Sequence, residues 1–288
     1  MKKKIVSIIL VFGMMLGLAG CNAITIDGEG ETVENAGNGT IGLSVSTLNN
    51  PFFVAVADAG DDSAKQQSDI EDLISRNVSV LIVNPVDSDA VAPAVQNAVS
   101  QGIKVISVDR VVNGVEVDCQ IASDNVAGAK MATEYLIEQI GEGAKVAELQ
   151  GVPGASATID RGEGFHEAAD KSLSVVASQT ANFDRAEGMS VMENILQSDG
   201  SIQGVFAHND EMALGALQAI AASGKDIKVI GFDATDDAVA EVKAGRMAAT
   251  VAQKPDLMGE TAIHTAMKLI AGEKVEKSLP VEVELITQ

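Results

Sequence analysis

The strongest constraint in this chain is an internal likeness between its halves. A largely apolar run at residues 78–83 ends in Asn84, and 25 positions on the run Lys-Val-Ile-Ser-Val at 104–108 ends in Asp109. A second apolar run at 204–207 leads through His208 to Asn209, and 24 positions on Lys-Val-Ile-Gly-Phe at 228–232 ends in Asp233. Runs that stay apolar instead of alternating belong to strands buried on both faces, and the helical patterns between them supply the covering layers. The chain therefore reads as α/β, with two doubly wound parallel-sheet lobes. Any two strand-helix-strand units share apolar periodicity, so the runs alone say little. The matched Asn and Asp at strand ends say more. Ligands bind such sheets at the carboxyl ends of the strands, and two lobes built alike would face each other across a cleft.

A leader comes first. Lys2, Lys3 and Lys4 precede an apolar run at 5–16 and then Leu18-Ala19-Gly20-Cys21, the pattern of an export signal. The run is shorter than the roughly 20 residues that cross a bilayer, which disfavours a permanent transmembrane helix. The small residues before Cys21 resemble a bacterial lipobox, so Cys21 is expected to carry lipid as the new N-terminus. Cys119 is then without a disulfide partner and reads as a small buried hydrophobe. Residues 22–38, polar and rich in Gly, Glu and Asn, read as a flexible linker. The formal charge of −21 becomes −24 once the three leader lysines are removed. Such a surface repels phosphate backbones and anionic lipid, which excludes nucleic acid as a partner.

Beyond the linker, an alternating run (Ile41, Leu43, Val45) reads as a strand and leads into Thr47-Leu-Asn-Asn-Pro-Phe-Phe53. A proline there starts a helix, and two phenylalanines sit at a strand-to-helix corner, where an aromatic pair and an amide suit a flat, hydroxyl-rich ligand. Asp62 is placed to cap a helix at 63–76, a second helix spans 88–100, and Gly102 stops it. The second half gives helices at 124–140, 158–171, 185–197 and 211–222, with strands at 145–149 and 175–179. Asp184 caps the third of these helices, with Glu187 placed for a capping box. A strand ending at Ala252-Gln253, a helix begun by Pro255 and a last strand at 281–286 complete the chain. If this tail returns to the first lobe, the chain crosses near residues 122–125, 253–256 and 283, and three short crossings make a hinge. The expected partition is 39–123 plus 254–282 for one lobe, and 124–253 plus 283–288 for the other.

A sugar in a dry cleft presents hydroxyls that each need a partner, because an unpaired buried polar group costs about 1–3 kcal/mol. Asn and Asp at strand tips supply acceptors, and arginine supplies a rigid fork of donors. Asp109 and Arg110 are adjacent, Arg161 lies in Asp160-Arg-Gly-Glu-Gly164, and Asp233 and Gln253 close the other wall. Two aspartates against two arginines leave the site near neutral, which suits a polyol and not a phosphate. Arg161 is equally readable as an exposed salt-bridging residue, and Phe183 as core. His166, His208 and His264 have no metal-ligand spacing, and no nucleophile elbow or phosphate loop is present, so neither catalysis, a metal nor a cofactor is expected.

These residues closely resemble the ribose-binding proteins of bacterial ABC importers, within the type I periplasmic-binding-protein fold. The likeness runs from about Thr40 to the C-terminus. It is dense in residues 46–53, 84–90, 121–125 and 161–165, and in Asn209-Asp-Glu-Met-Ala-Leu-Gly-Ala216 and Gly231-Phe-Asp233. The resemblance implies sugar contacts at Asn50, Phe52, Phe53, Asn84, Asp109 and Arg110 in one lobe. For the other lobe and the hinge it implies Arg161, Phe183, Asn209, Asp233 and Gln253. In the family the phenylalanines sandwich the sugar ring, which makes D-ribose the leading ligand and another pentose, a hexose or a furanose-like signal the alternatives. It further implies an ABC permease with its ATPase as partners, a chemoreceptor as a further candidate, and a monomer held at the outer face of the cytoplasmic membrane by lipid on Cys21. The effector core of a sugar-responsive repressor shares the fold, but the leader and the lack of a basic helix-turn-helix argue against it. One departure stands out. Between the aromatic corner and the segment resembling Asp61-Asp-Ser-Ala-Lys-Gln-Gln67 the family places a full helix and a strand, whereas here only residues 54–60 lie between them, too few for both. One helix-strand unit is thus expected to be missing, with an edge strand lost, less cover over Ile41, Leu43 and Val45, and lowered stability and binding.

Overall fold

A computed structural model describes residues 39–46 and 62–288. The leader with Cys21, the linker at 22–38 and the corner residues Asn50, Phe52 and Phe53 lie outside the described residues. Two α/β lobes are present. The first is a parallel sheet in the order β1 (Ile41–Ser44), β2 (Val80–Val83), β3 (Lys104–Val108), β4 (Cys119–Ser123), β10 (Ser278–Val281). Helices α1 (Ser63–Ser75) and α2 (Ala92–Ser100) cover one face, with Ile70, Ile74, Val95 and Ala98 packed on Leu81, Val83 and Val105. Helix α8 (Pro255–Ile270) covers the other through Met258, Ala262 and Ala266. All four residues of β2 are buried, as a strand sandwiched between helices requires.

The second sheet has the order β11 (Glu284–Ile286), β9 (Ala249–Ala252), β8 (Lys228–Asp233), β7 (Gly204–Ala207), β5 (Lys145–Gln150), β6 (Ser174–Thr180). It is parallel except for β11, which runs antiparallel to β9. Helices α3 (Asn125–Ile140) and α4 (Ser156–Ser172) pack on one face around Phe165, Phe206 and Phe232. Helices α5 (Arg185–Ser198), α6 (Asp210–Ser223) and α7 (Asp236–Lys243) pack on the other around Met192, Ile195 and Met212. The lobes are joined where β4 leads into α3, where β9 leads into α8, and between β10 and β11.

Several local expectations are corrected. The last strand is two: β10 pairs with β4 in the first sheet and β11 with β9 in the second. Strand β4 and helix α7 are additional to the elements expected, although Thr235 caps α7 and β4 alternates between buried and half-buried residues. Helix α2 begins at Ala92 instead of Ser88, because the Asp87 carboxylate takes the amides of Asp89 and Ala90 and holds a separate turn. Asp62 does cap α1, accepting from the amides of Ala64 and Lys65 at 2.9 and 3.0 Å. Asp184 caps α5 through the amide of Glu187, but the Glu187 carboxylate accepts from Asn182 and does not close a capping box.

At β1 the sheet ends, with no strand beyond it among the described residues. Val45 is buried, while Ile41 and Leu43, packed on the α8 side, stay half-buried.

Helix contacts in the second lobe depend on glycine. A Cβ on Gly215 of α6 would stand 2.1 Å from the carbonyl oxygen of Arg185, and one on Gly188 of α5 would stand 2.7 Å from the backbone of Met212. Backbone cannot yield as a flexible side chain can, so these two glycines set the α5–α6 separation. Gly215→Ala is expected to lower unfolding free energy by about 1–3 kcal/mol in urea titrations, whereas Gly259→Ala, where nothing lies within 4 Å, is expected to be neutral or stabilising.

Candidate functional site

Two aspartates end central strands in strained backbone. Asp109 follows β3 with a φ of 65°, and Asp233 ends β8 with a φ of 120°. Left-handed backbone costs a non-glycine residue about 1–2 kcal/mol, and such residues persist where surrounding bonds over-determine them. Around Asp109 those bonds are its own amide to the Ile121 carbonyl at 2.7 Å and the Arg110 amide back to Val108 at 2.7 Å. Both aspartates are nearly inaccessible, at 4 % and 7 % exposure.

Each is set beside a buried arginine. The Arg110 Nε lies 3.6 Å from Asp109 Oδ2, and the Arg161 Nη1 lies 3.6 Å from Asp233 Oδ1. Arg161 is thereby placed as a buried residue of α4, not as an exposed ion-pair partner. Its Nε donates to Asn125 Oδ1 at 2.8 Å, its Nη1 donates to the His208 carbonyl, and its guanidinium lies 3.9 Å from the Phe232 ring centre. Arg110 donates to the Pro85 carbonyl at 2.9 Å. Ions buried this deeply survive only when paired and hydrogen-bonded.

The two lobes meet at these groups. Arg110 of the first lobe lies 5.4 Å from the ring centre of Phe183 in the second. Burial lowers the pKa of Arg161, and the carboxylates of Asp233 and then of Asp109, from the opposite lobe, work against that. Phe183 has a φ of 59°, and its ring lies so close to Gly151 that a Cβ there would stand 2.0 Å from it. Further out, the Ser88 amide donates to the Gly154 carbonyl at 3.0 Å, the Ser156 amide to Ser88 Oγ at 3.2 Å, and the Val111 amide to Ser156 Oγ at 3.0 Å. Ser123 on one crossing donates to Gln253 Oε1 on another at 2.9 Å, and Gln253 Nε2 donates to Asp233 Oδ1 at 2.6 Å.

The asparagines are occupied by the protein itself. Asn84 Nδ2 donates to the Val108 carbonyl and to Asp109 Oδ2, and its Oδ1 accepts from the Ser46 amide. Asn209 caps α6 through the Met212 amide, and its Nδ2 donates to the Phe183 carbonyl at 3.3 Å. Asp109 differs: its Oδ1 is buried and has no hydrogen-bond partner among the described residues. The structure thus gathers Asn84, Asp109, Arg110, Arg161, Phe183, Asn209, Asp233 and Gln253 into one connected neighbourhood.

Sequence reasoning missed Gln66, Ser88, Ser123, Asn125 and Ser156. Gln66, 1 % exposed on α1, clamps the turn after β2 by donating to the Asn84 carbonyl and accepting from the Val86 amide, each at 2.8 Å. Its one available signal was a polar residue four positions before Ile70 on the apolar face of α1.

A model described as the periplasmic binding protein domain matches residues 45–274. The chain belongs to the periplasmic-binding-protein family, the non-enzymatic solute-binding components of ABC transporters. It is 48 % identical to the ribose import binding protein of Bacillus subtilis (strain 168), across 99 % of both chains. It is 46 % identical to the ribose import binding protein of Escherichia coli (strain K12), across 86 % of this chain and 90 % of that one. Among solved structures, a Caulobacter myo-inositol binding protein with bound myo-inositol superposes with a TM-score of 0.84 at 35 % identity, covering 89 % of this chain and 95 % of its own. The Bacillus alignment spans 306 positions against a chain of 288 residues, so at least 18 positions have no residue here.

A further buried carboxylate, Glu148, lies on β5. Glu148 Oε1 accepts from His208 Nε2 at 2.9 Å, which fixes that tautomer, and Glu148 Oε2 lies 3.4 Å from His166 Nε2. Burial lowers the His208 pKa and outweighs Glu148. Burial also opposes the His166 cation, but Asp170 and Glu148 carry its pKa above the usual 6.5. The stability lent by His166 is therefore complete below pH 6.5 and lost as pH rises through its folded pKa. His208 acts in the other sense: below pH 6.5 the unfolded chain takes a proton that the folded one refuses, and stability falls. Urea midpoints taken between about pH 5 and 9 are expected to show His166→Gln flattening the alkaline decline and leaving the acid decline in place.

Proposed function

We propose that this chain binds D-ribose between its two lobes and delivers it to a membrane permease driven by an ATPase. The supporting observation is Asp109 Oδ1, buried and without a hydrogen-bond partner among the described residues, on a carboxylate whose charge acts on Arg161 of the other lobe and whose neighbour Arg110 lies 5.4 Å from the ring centre of Phe183. A buried carboxylate oxygen is stabilised by a donor, and a sugar hydroxyl is a donor that adds no charge to two existing Asp–Arg pairs. Near-neutral pairing favours a neutral polyol over a phosphosugar, whose charge would find both guanidinium groups already engaged. The aromatic ring of Phe183, and by family resemblance those of Phe52 and Phe53, would hold the faces of the sugar. Asn84, Asn209 and Gln253 would act mainly by fixing the two carboxylates and Phe183. The sugar would touch both lobes only when they meet, so its binding favours the joined arrangement by its differential affinity for that state. Export and lipid attachment through Cys21 would keep the protein beside its permease, and the leader sequence supports that reading.

The names of the similar proteins support ribose first, and a cyclic polyol second, because the myo-inositol binding proteins superpose over most of this chain. Calorimetric titration of the mature chain against ribose, allose, galactose and myo-inositol is expected to give ribose the tightest binding. Asp109→Ala is expected to weaken it by about 1–3 kcal/mol, the cost of leaving hydroxyl and amide partners unpaired. Unchanged affinity would move the site elsewhere.

The shortened segment after Phe53 bears on the same reading. Insertion of a family helix-strand unit there is expected to raise the thermal midpoint and tighten ribose binding, because it would cover the half-buried Ile41 and Leu43. Equal midpoints and affinities in melts and titrations would reject that.

A further inference from the structure

Asp210 is a buried acid that the ribose reading leaves without a task. It stands in the first turn of α6 at 0 % exposure. Its Oδ2 accepts from the Thr235 amide at 2.8 Å and from the Thr235 hydroxyl at 3.2 Å, and its Oδ1 accepts from the Thr250 hydroxyl at 2.7 Å. Thr250, wholly buried on β9, accepts in turn from the Ala234 amide at 3.2 Å. The two amides that follow Asp233 therefore both end on this pair. They do so where the chain is left-handed, with φ of 120° at Asp233 and 55° at Ala234. Without such bonds, backbone of this kind relaxes to ordinary conformations. Gly231 fits the same account: a Cβ there would stand 2.3 Å from Asp210 Oδ1, in the space the carboxylate occupies. In the first lobe a buried polar side chain does similar work on a different turn, the neutral amide of Gln66 clamping the chain after Asn84.

We propose that Asp210 and Thr250 are positioning residues for sugar recognition. They clamp the turn at residues 233–235 and so set the direction of the Asp233 carboxylate towards the ligand. Neither touches the sugar. The proposal rests on the ribose reading, together with the sugar contact that the family resemblance implies for Asp233.

The experiment is a double-mutant cycle in the full mature chain, read as ribose affinity by calorimetry, with circular dichroism to establish folding. Thr250→Val is nearly isosteric and removes only the hydroxyl, stranding the Ala234 amide and one oxygen of Asp210. It is expected to weaken ribose about tenfold, in the range set by unsatisfied buried groups. Thr250→Ser, which keeps the hydroxyl, is expected to stay within about twofold of the parent. In an Asp233→Ala background Thr250→Val is expected to add less than about twofold, because the residue it aims is gone. Asp210→Asn, if it folds, is expected to behave as Thr250→Val does; if it does not fold, the threonine variants carry the test. Parent-like affinity for Thr250→Val beside a weak Asp233→Ala would overturn the positioning role and leave the ribose reading intact. A tenfold loss that persists undiminished in the Asp233→Ala background would overturn it too, marking a general structural strut. Parent-like affinity for Asp233→Ala would overturn both.

Discussion

Four buried ions at the meeting of two lobes govern much of this architecture. Asp109, Arg110, Arg161 and Asp233 are each less than a tenth exposed, and a charge taken from water that far must be paid for by partners with good geometry. The partners are drawn from strand tips, helix starts and hinge crossings: the Pro85 and His208 carbonyls, Asn84, Asn125 and Gln253. Parallel sheets suit this task. They collect the carboxyl ends of several strands on one side, where polar groups can converge while the strands behind them stay wholly apolar. Val80 to Val83 illustrates the second half of that bargain, with every residue buried.

The two lobes repeat a plan without repeating its chemistry. In each, an asparagine after one strand steadies a neighbour and an aspartate after the next strand adopts left-handed backbone. Asn84 bonds directly to its aspartate, whereas Asn209 caps a helix and holds Phe183, leaving Gln253 to reach Asp233. Asp109 consequently keeps one oxygen without a hydrogen-bond partner among the described residues. Asymmetry of that sort would suit the proposed ligand, because a sugar offers different hydroxyls to its two sides.

Fold class was legible in the sequence because its signal is redundant. Unbroken apolar strands, helical periodicity and the doubled Lys-Val-Ile pattern all require covered parallel sheets. Positions such as Asp109 and Asp233 were legible because a charged residue directly after a buried strand has few structural excuses. The supporting groups were not. Gln66, Ser123, Asn125 and Ser156 act on residues 18, 130, 36 and 45 positions away, and no periodicity along the chain encodes such a meeting. The α2 start and the split of the final strand were misread for a related reason. Asp87 and the crossing at residues 282–283 serve tertiary geometry, which local propensity does not report.

Loss of a unit from the β1 edge, as proposed above, would be a tolerable injury for this fold, and the reason is topological. Strand β1 pairs in register with β2 from Ile41 opposite Val80 to Ser44 opposite Val83, and α1 carries the crossover between them. No strand interior to the sheet changes its neighbours when an edge is removed, so β2, β3 and β4 keep the pairings that place Asn84 and Asp109. The damage from such a loss would be confined to cover at that edge. Asn84 ties the two regions together, because its Oδ1 takes the Ser46 amide just before the altered segment while its Nδ2 steadies Asp109. Strain entering at the edge can therefore reach the first-lobe carboxylate through one side chain, whereas Asp233 is held by the second lobe's own sheet and its own clamp.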